Sequence, residues 1–311
     1  MIFRSLLAVA VLLTIAGSSI AADFDKDGKA DFAVFRPSTT TWISESSKGE
    51  LSGFQWGRST DVLVPADYDG DGRTDIAVWR PETGVWYIHQ SGDDSVLLVR
   101  WGMTTIHATG GLADVPVPAD YDNDGMADLA VWRPDTGEWW ILRSSNSYDQ
   151  NNAMTFRWGK LGDVPVQADY DGDHKADFAI FRSSENRWYV RNSSTGKSSV
   201  HSFGLAGLDT LVPADYTGDN KADIAVYRSG VWYVRNSSTG ETEQTNFGFN
   251  DDVAVPADYD GDGITDLAVY RSGTWYVSDS SRPRLRTYNF GQAADVPVNS
   301  GIVRASIVAI P

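Results

Sequence analysis

The 311-residue chain carries a formal net charge of −16, is 12% aromatic, and contains 29 Gly and no Cys. That charge argues against nucleic acid or an anionic membrane as a partner. The absence of Cys removes disulfides, thiolate metal sites, Cys nucleophiles and an N-terminal lipid-modified Cys.

The first element is an export signal. Arg4 precedes an apolar run over residues 6–15, and Ser19-Ile20-Ala21 is a small-x-small cleavage site. The run is short of the roughly 20 residues a spanning helix needs. We therefore expect a signal peptide over residues 1–21 and a single mature domain over 22–311. The mature chain is expected outside the cytoplasm, secreted, periplasmic or cell-surface, without membrane insertion.

A nine-residue loop, Asp-x-Asp-x-Asp-Gly-x-x-Asp or a close variant, follows at once and returns five more times. Its carboxylates are Asp23, Asp25, Asp27 and Asp31 in loop one, and Asp67, Asp69, Asp71 and Asp75 in loop two. Loop three holds Asp120, Asp122, Asp124 and Asp128, and loop four Asp169, Asp171, Asp173 and Asp177. Loop five holds only Asp215, Asp219 and Asp223, with Thr217 at position 3 and Asn220 at position 6; loop six holds Asp258, Asp260, Asp262 and Asp266. Hard oxygens at positions 1, 3 and 5, with Gly at the sharp turn of position 6, suit Ca²⁺. Mg²⁺, which retains waters and demands octahedral geometry, suits less well. Four close carboxylates repel one another unless neutralised. Up to six Ca²⁺ ions are expected, with loop five weakest. His174 replaces Gly in loop four, and His tolerates the left-handed conformation better than most residues.

Each loop opens a similar run of short β-rich segments. Strand B is apolar and ends in Arg, as in Ile76-Ala77-Val78-Trp79-Arg80; strand C carries Trp86-Tyr87-Ile88; strand D ends in Trp101-Gly102; strand A is Val115-Pro116-Val117-Pro118-Ala119. Four-stranded units repeating every 40–50 residues, rich in Gly and aromatics, predict an all-β propeller of six four-stranded blades. The first repeat lacks strand A, and Asp295-Val296-Pro297-Val298 near the C-terminus supplies it. A ring closed by that strand follows. Strand A begins with Asp (61, 114, 163, 209, 252, 295) and strand B ends with Arg (36, 80, 133, 182, 228, 271). In an antiparallel A–B hairpin these ends face each other, so six Arg–Asp pairs are expected, Arg36 with Asp295 among them. Residues 302–311 read either as a stub of a seventh unit or as an extra strand covering an edge.

The Phe-Gly and Trp-Gly strand ends, the Asp-Tyr-Asp-Gly-Asp-Gly loops and the Ile-Ala-Val-Trp-Arg-Pro strands resemble the FG-GAP repeats of integrin α-subunit propellers and the VCBS-type repeats of secreted bacterial proteins. The likeness covers residues 23–300, although Val-Pro-Ala-Asp replaces the usual Gly-Ala-Pro element. It implies Ca²⁺ between strands A and B on one face of the ring, and a ligand-binding face built from the D–A and B–C loops.

The remaining candidates are weaker. His89, His107, His174 and His201 occupy non-equivalent positions, and no acid–base or nucleophile set emerges. Trp42, Trp86, Trp139, Trp188, Trp232 and Trp275 hold equivalent strand C positions, which predicts blade packing; Trp140 is less committed. Two segments depart from the repeat: a long D–A loop over residues 103–113 and a polar C–D hairpin over residues 144–153. The expected function is a monomeric, non-enzymatic adhesion or protein-interaction module with structural Ca²⁺ and an extracellular protein or glycan as partner. A calcium-dependent lectin is the alternative, and a propeller-type hydrolase the third reading.

Overall fold

The computed structural model describes residues 22–46, 48–104, 112–282, 284–298 and 303–304. The expected export signal over residues 1–21 lies outside these residues, as does most of the 103–113 loop. No helix among the described residues is long and apolar enough to cross a membrane.

Six antiparallel sheets form six blades, each with strand order A-B-C-D. In blade two these strands are Val62–Leu63, Ile76–Arg80, Val85–His89 and Val96–Arg100. The B strands are almost wholly buried, whereas the D strands carry only exposed and half-buried residues. Strand D is therefore the outer rim, and strand A, buried although it is a sheet edge, faces the centre of the ring.

Strand A is shorter than its five-residue sequence suggests. Its ladder covers Val62–Leu63, adds the Val64 N–H to the Ala77 carbonyl (3.0 Å), and then breaks at Pro65. Blade four breaks at the same place with Gln167 there, so the break belongs to the turn into the acidic loop. Pairing resumes as a single bridge, Ala66 to Asp75, at the end of the acidic loop.

The blades adhere through six apolar clusters, each shared between neighbours. Val64, Tyr68, Trp79 and Trp86 of blade two, for example, pack with Ala127, Leu129 and Val131 of blade three. All six strand C tryptophans are buried. Each donates its indole N–H to the carbonyl of the Trp or Phe that ends strand D, at 2.9–3.3 Å. The following Gly explains the recurring Phe-Gly pair. Its φ is 80–114° in all six copies. A Cβ there would also lie 3.0–3.4 Å from a β-branched strand B side chain of the next blade: Val78, Val131, Ile180, Val226, Val269 or Val34. Only Gly meets both demands.

The ring closes as expected. Val296 and Pro297 pair with Phe35 and Val34, completing blade one. Arg36 grips Asp295 through Nε (2.9 Å) and Nη2 (2.8 Å). Phe32 of blade one stacks on Tyr259 and Tyr288 of blade six. Among the described residues there is no seventh blade. Val303–Arg304 pairs with Thr210–Leu211, the A strand of blade five, as an extra inner strand.

Candidate metal centres

In blades two to six the acidic loop is the A–B turn, in blade one it leads from Ala22 into strand B, and each loop is organised by its own backbone. The position 1 Asp accepts the N–H groups of positions 4 and 6 at 2.5–3.0 Å in all six loops. Position 6 is left-handed throughout: φ is 83–85° at Gly28, Gly72, Gly125 and Gly263, 65° at His174 and 61° at Asn220. His174 thus takes the glycine conformation, as loop four requires.

In blades two to six the position 9 Asp accepts the N–H of position 2 and that of a Ser following strand C (Ser91, Ser144, Ser193, Ser237 or Ser280), at 2.6–2.9 Å. The same Ser donates its hydroxyl to the position 5 Asp at 2.7–3.1 Å. The next residue reaches position 3: Gly92 N to Asp69 (2.9 Å), Ser194 Oγ to Asp171 (2.5 Å), Ser281 Oγ to Asp260 (2.5 Å) and Ser145 Oγ to Asp122. The C–D hairpin therefore roofs the loop. Sequence reasoning missed this roof, although a Ser-Ser or Ser-Gly pair after strand C was there to find.

Of six such carboxylate clusters among the described residues, five bring three loop Asp to a common centre, with one oxygen from each within 4.8 Å of the others. These sets are Asp23/Asp25/Asp27, Asp67/Asp69/Asp71, Asp120/Asp122/Asp128, Asp169/Asp171/Asp177 and Asp258/Asp260/Asp262. Both Asp25 carboxylate oxygens and Oδ1 of Asp122 and of Asp171 are buried without a hydrogen-bond partner. Orphaned acceptors at position 3, in an all-oxygen donor set, fit a hard cation such as Ca²⁺. In loop five Thr217 holds position 3, and the hydroxyls of Ser237 and Ser238 both turn to Asp219.

Burial, with repulsion from neighbouring loop carboxylates, pushes Asp31, Asp128 and Asp177 up to about 7 and Asp75 and Asp266 up to about 6. Asp219 differs. Burial raises it, but the hydroxyls of Ser238 and Ser237 outweigh burial and leave it lowered. A pH dependence follows for metal-stripped protein. Carboxyls raised in the folded state bind protons more tightly when folded. Their contribution is complete below about pH 4, the unfolded value, and is lost as pH rises through the folded values. Metal-stripped protein should melt higher at about pH 5 than at about pH 7.5. A melting temperature that climbs over that interval would contradict this electrostatic picture.

Residues 67–131 and 169–226 match the FG-GAP-like repeat family. The chain is a six-bladed β-propeller that carries FG-GAP-like repeats. No curated protein matches it. Solved structures similar to this FG-GAP propeller are distant in sequence. Virginiamycin B lyase from Staphylococcus aureus is 7% identical over 89% of this chain and 86% of that one, with a TM-score of 0.51. An Agrocybe aegerita lectin that recognises non-reducing terminal N-acetylglucosamine is 15% identical over 89% and 92%, with a TM-score of 0.53. BBS1N, solved in complex with ARL6DN, is 10% identical over 91% and 84%, with a TM-score of 0.52. These likenesses carry the propeller fold alone.

The opposite face of the FG-GAP propeller is built from the D–A and B–C loops. There all six predicted Arg–Asp pairs form, at 2.8–3.2 Å for Arg36, Arg80, Arg133 and Arg182, and likewise for Arg228–Asp209 and Arg271–Asp252. Each Asp also accepts a backbone N–H from its own D–A turn. Five of the Arg lie over the second aromatic of strand C, at 4.2–4.8 Å from Tyr87, Trp140, Tyr189, Tyr233 and Tyr276. Trp140 is thereby committed to structure, and the Arg fork is spent on Asp. The exposed residues of this face differ from loop to loop, and some of them are apolar. Leu161, Leu205, Leu208 and Phe249 are exposed in successive D–A loops, Leu208 at 66% and Phe249 at 65%.

The polar hairpin of blade three is a clamp on the loop face. Tyr148 donates its hydroxyl to the carbonyls of Tyr68 (2.9 Å) and Ala127 (3.0 Å), and Gln150 Nε2 reaches the Arg100 carbonyl (3.1 Å). Tyr148→Phe should cost about 1–2 kcal/mol in urea unfolding, because one hydroxyl serves two backbone acceptors. A neutral result would return the hairpin to a tolerated insertion. Among the His, His89 packs against Phe54 and Trp56, and His201 bonds Ser199. His107 lies outside the described residues.

Proposed function

We propose that this propeller is an exported interaction module. Ca²⁺ in the A–B loops fixes the scaffold, and the D–A/B–C face binds an extracellular protein. The observation that carries this reading is the division of labour between faces. The loop face repeats one acidic site blade after blade. On the other face the repeated Arg and Asp are tied to one another, and the exposed D–A residues, apolar at Leu161, Leu208 and Phe249 and polar at Arg58, Ser59 and Gln292, change from blade to blade. Repetition suits a scaffold; exposed apolar side chains on loops suit recognition. The FG-GAP propeller fold supports protein interaction, and the scattered His favour a non-catalytic role. Glycan binding is the second reading, favoured by the fold likeness to the fungal lectin.

The test is binding to a panel of extracellular proteins and to a glycan array, each in Ca²⁺ and after chelation. Protein binding that Leu208→Asp/Phe249→Asp abolishes without lowering the melting temperature supports the proposal. Glycan binding with the same sensitivity moves the assignment to a lectin. Binding insensitive to these substitutions contradicts the choice of face.

A further inference from the structure

We infer that the six acidic loops take up Ca²⁺ as a coupled ring rather than as separate sites. This rests on the calcium reading above and goes beyond it. In every blade the N–H of loop position 8 donates to the carbonyl of the position 1 Asp in the preceding blade. The bonds run from Thr74 to Asp23, Ala127 to Asp67, Ala176 to Asp120, Ala222 to Asp169, Thr265 to Asp215 and Ala30 to Asp258, all at 2.7–2.8 Å. The sixth bond closes the circle across the seam between blades six and one.

One residue thus serves two loops. The carboxylate of Asp120 organises loop three, while its carbonyl anchors the N–H next to Asp177 of loop four. Side chains add a second link. Position 7 of one loop packs on the position 4 Gly of the loop before it, so a Cβ at Gly70, Gly172, Gly218 or Gly261 would meet Met126, Lys221, Ile264 or Lys29 at 2.9–3.2 Å. At the junction of loops one and two, Lys26 Nζ donates to the Asp71 carbonyl.

A loop of four close carboxylates is under repulsion without a cation and ordered with one. Ordering a residue costs about 1–2 kcal/mol of backbone entropy. When one loop is fixed, its position 1 carbonyl is fixed, and positions 8 and 9 of the next loop are partly ordered before a cation arrives. The second binding event then bears a smaller ordering cost, which is positive coupling without a change of fold. Loop five, with three carboxylates, is held between loops four and six by two of these bonds.

Equilibrium dialysis of radioactive Ca²⁺ tests this in the full chain. The Asp171→Asn/Asp173→Asn variant disables loop four while keeping its shape. At a free concentration that half-fills the wild type, independent loops can lose at most one equivalent. Coupled, evenly filled loops lose more than one, about 1.2 equivalents, because loops three and five weaken about fivefold and fall from about one-half to about one-sixth filled. The excess loss must recover at about a hundredfold higher Ca²⁺, leaving about one equivalent missing, which distinguishes weakened neighbours from an unfolded chain. A loss of one equivalent or less, or an excess that never recovers, overturns the coupling. Absence of Ca²⁺ uptake by the wild type overturns the calcium reading itself.

Discussion

Replacing Arg36 with Met is expected to destabilise the propeller by about 3–5 kcal/mol in urea unfolding. Arg36 is the partner that lets the last strand complete the first blade. The Asp295 side chain is 1% exposed and that of Arg36 25%. Removing the Arg strands a buried carboxylate that keeps only the Gln292 N–H (2.9 Å). Asp295→Ala should cost less, since the half-exposed guanidinium can turn to water. The double variant should recover part of the sum, because neither charge is then left unpaired. Simple additivity would mean that the pair does not hold the seam. The same Arg-to-Met change at Arg133 breaks an equivalent pair inside a continuous A–B hairpin. It should leave residues 296–298 protected from hydrogen exchange, whereas Arg36→Met exposes them.

Chelation is expected to have the largest effect of all. A ligand bound only to the folded state at a hundredfold excess over its Kd stabilises by about 2.7 kcal/mol. Extracellular modules of this chemistry bind Ca²⁺ with Kd of about 10⁻⁴–10⁻³ M. Five occupied loops near such an excess therefore contribute about 10 kcal/mol or more. At about 2–4 °C per kcal/mol that is a rise in melting temperature of tens of degrees. The buried Asp75, Asp128, Asp177 and Asp266 are the groups that benefit most, because each is fully buried beside other carboxylates. Thr217→Asp should add a further increment in Ca²⁺ by restoring position 3 of loop five. In metal-stripped protein the same change should destabilise, by adding a fourth carboxylate.

The architecture was legible because its determinants are side chains at fixed offsets. Loop Asp residues, strand C tryptophans and the Asp–Arg ends of strands A and B each recur once per blade, and the structure pairs them as their spacing predicts. Blade number followed from the same recurrence. What stayed hidden is carried by backbone or by irregular residues. The position 8 N–H bonds that join the loops involve Thr, Ala, Ala, Ala, Thr and Ala, residues with no signature of their own. Strand A lost length at the turn into the acidic loop, at Gln167 as well as at Pro65, a local effect masked by an otherwise β-rich run. Tyr148 sits in an unrepeated insertion, so no periodicity marked its hydroxyl as a clamp. The strand D tryptophans add links that Phe cannot. Trp56, Trp101 and Trp158 donate to the carbonyls of Tyr87, Trp140 and Tyr189 in the next blade, whereas Phe203, Phe247 and Phe290 have no N–H to give. Half of the ring is thus stapled more firmly than the rest.

Native mass spectrometry after dialysis into millimolar Ca²⁺ tests the scaffold claim most directly, since it counts ions on the folded chain. We predict at least five retained Ca²⁺ ions per chain, with a sixth held most weakly and strengthened by Thr217→Asp. A folded chain observed at its bare mass under the same conditions would contradict the account.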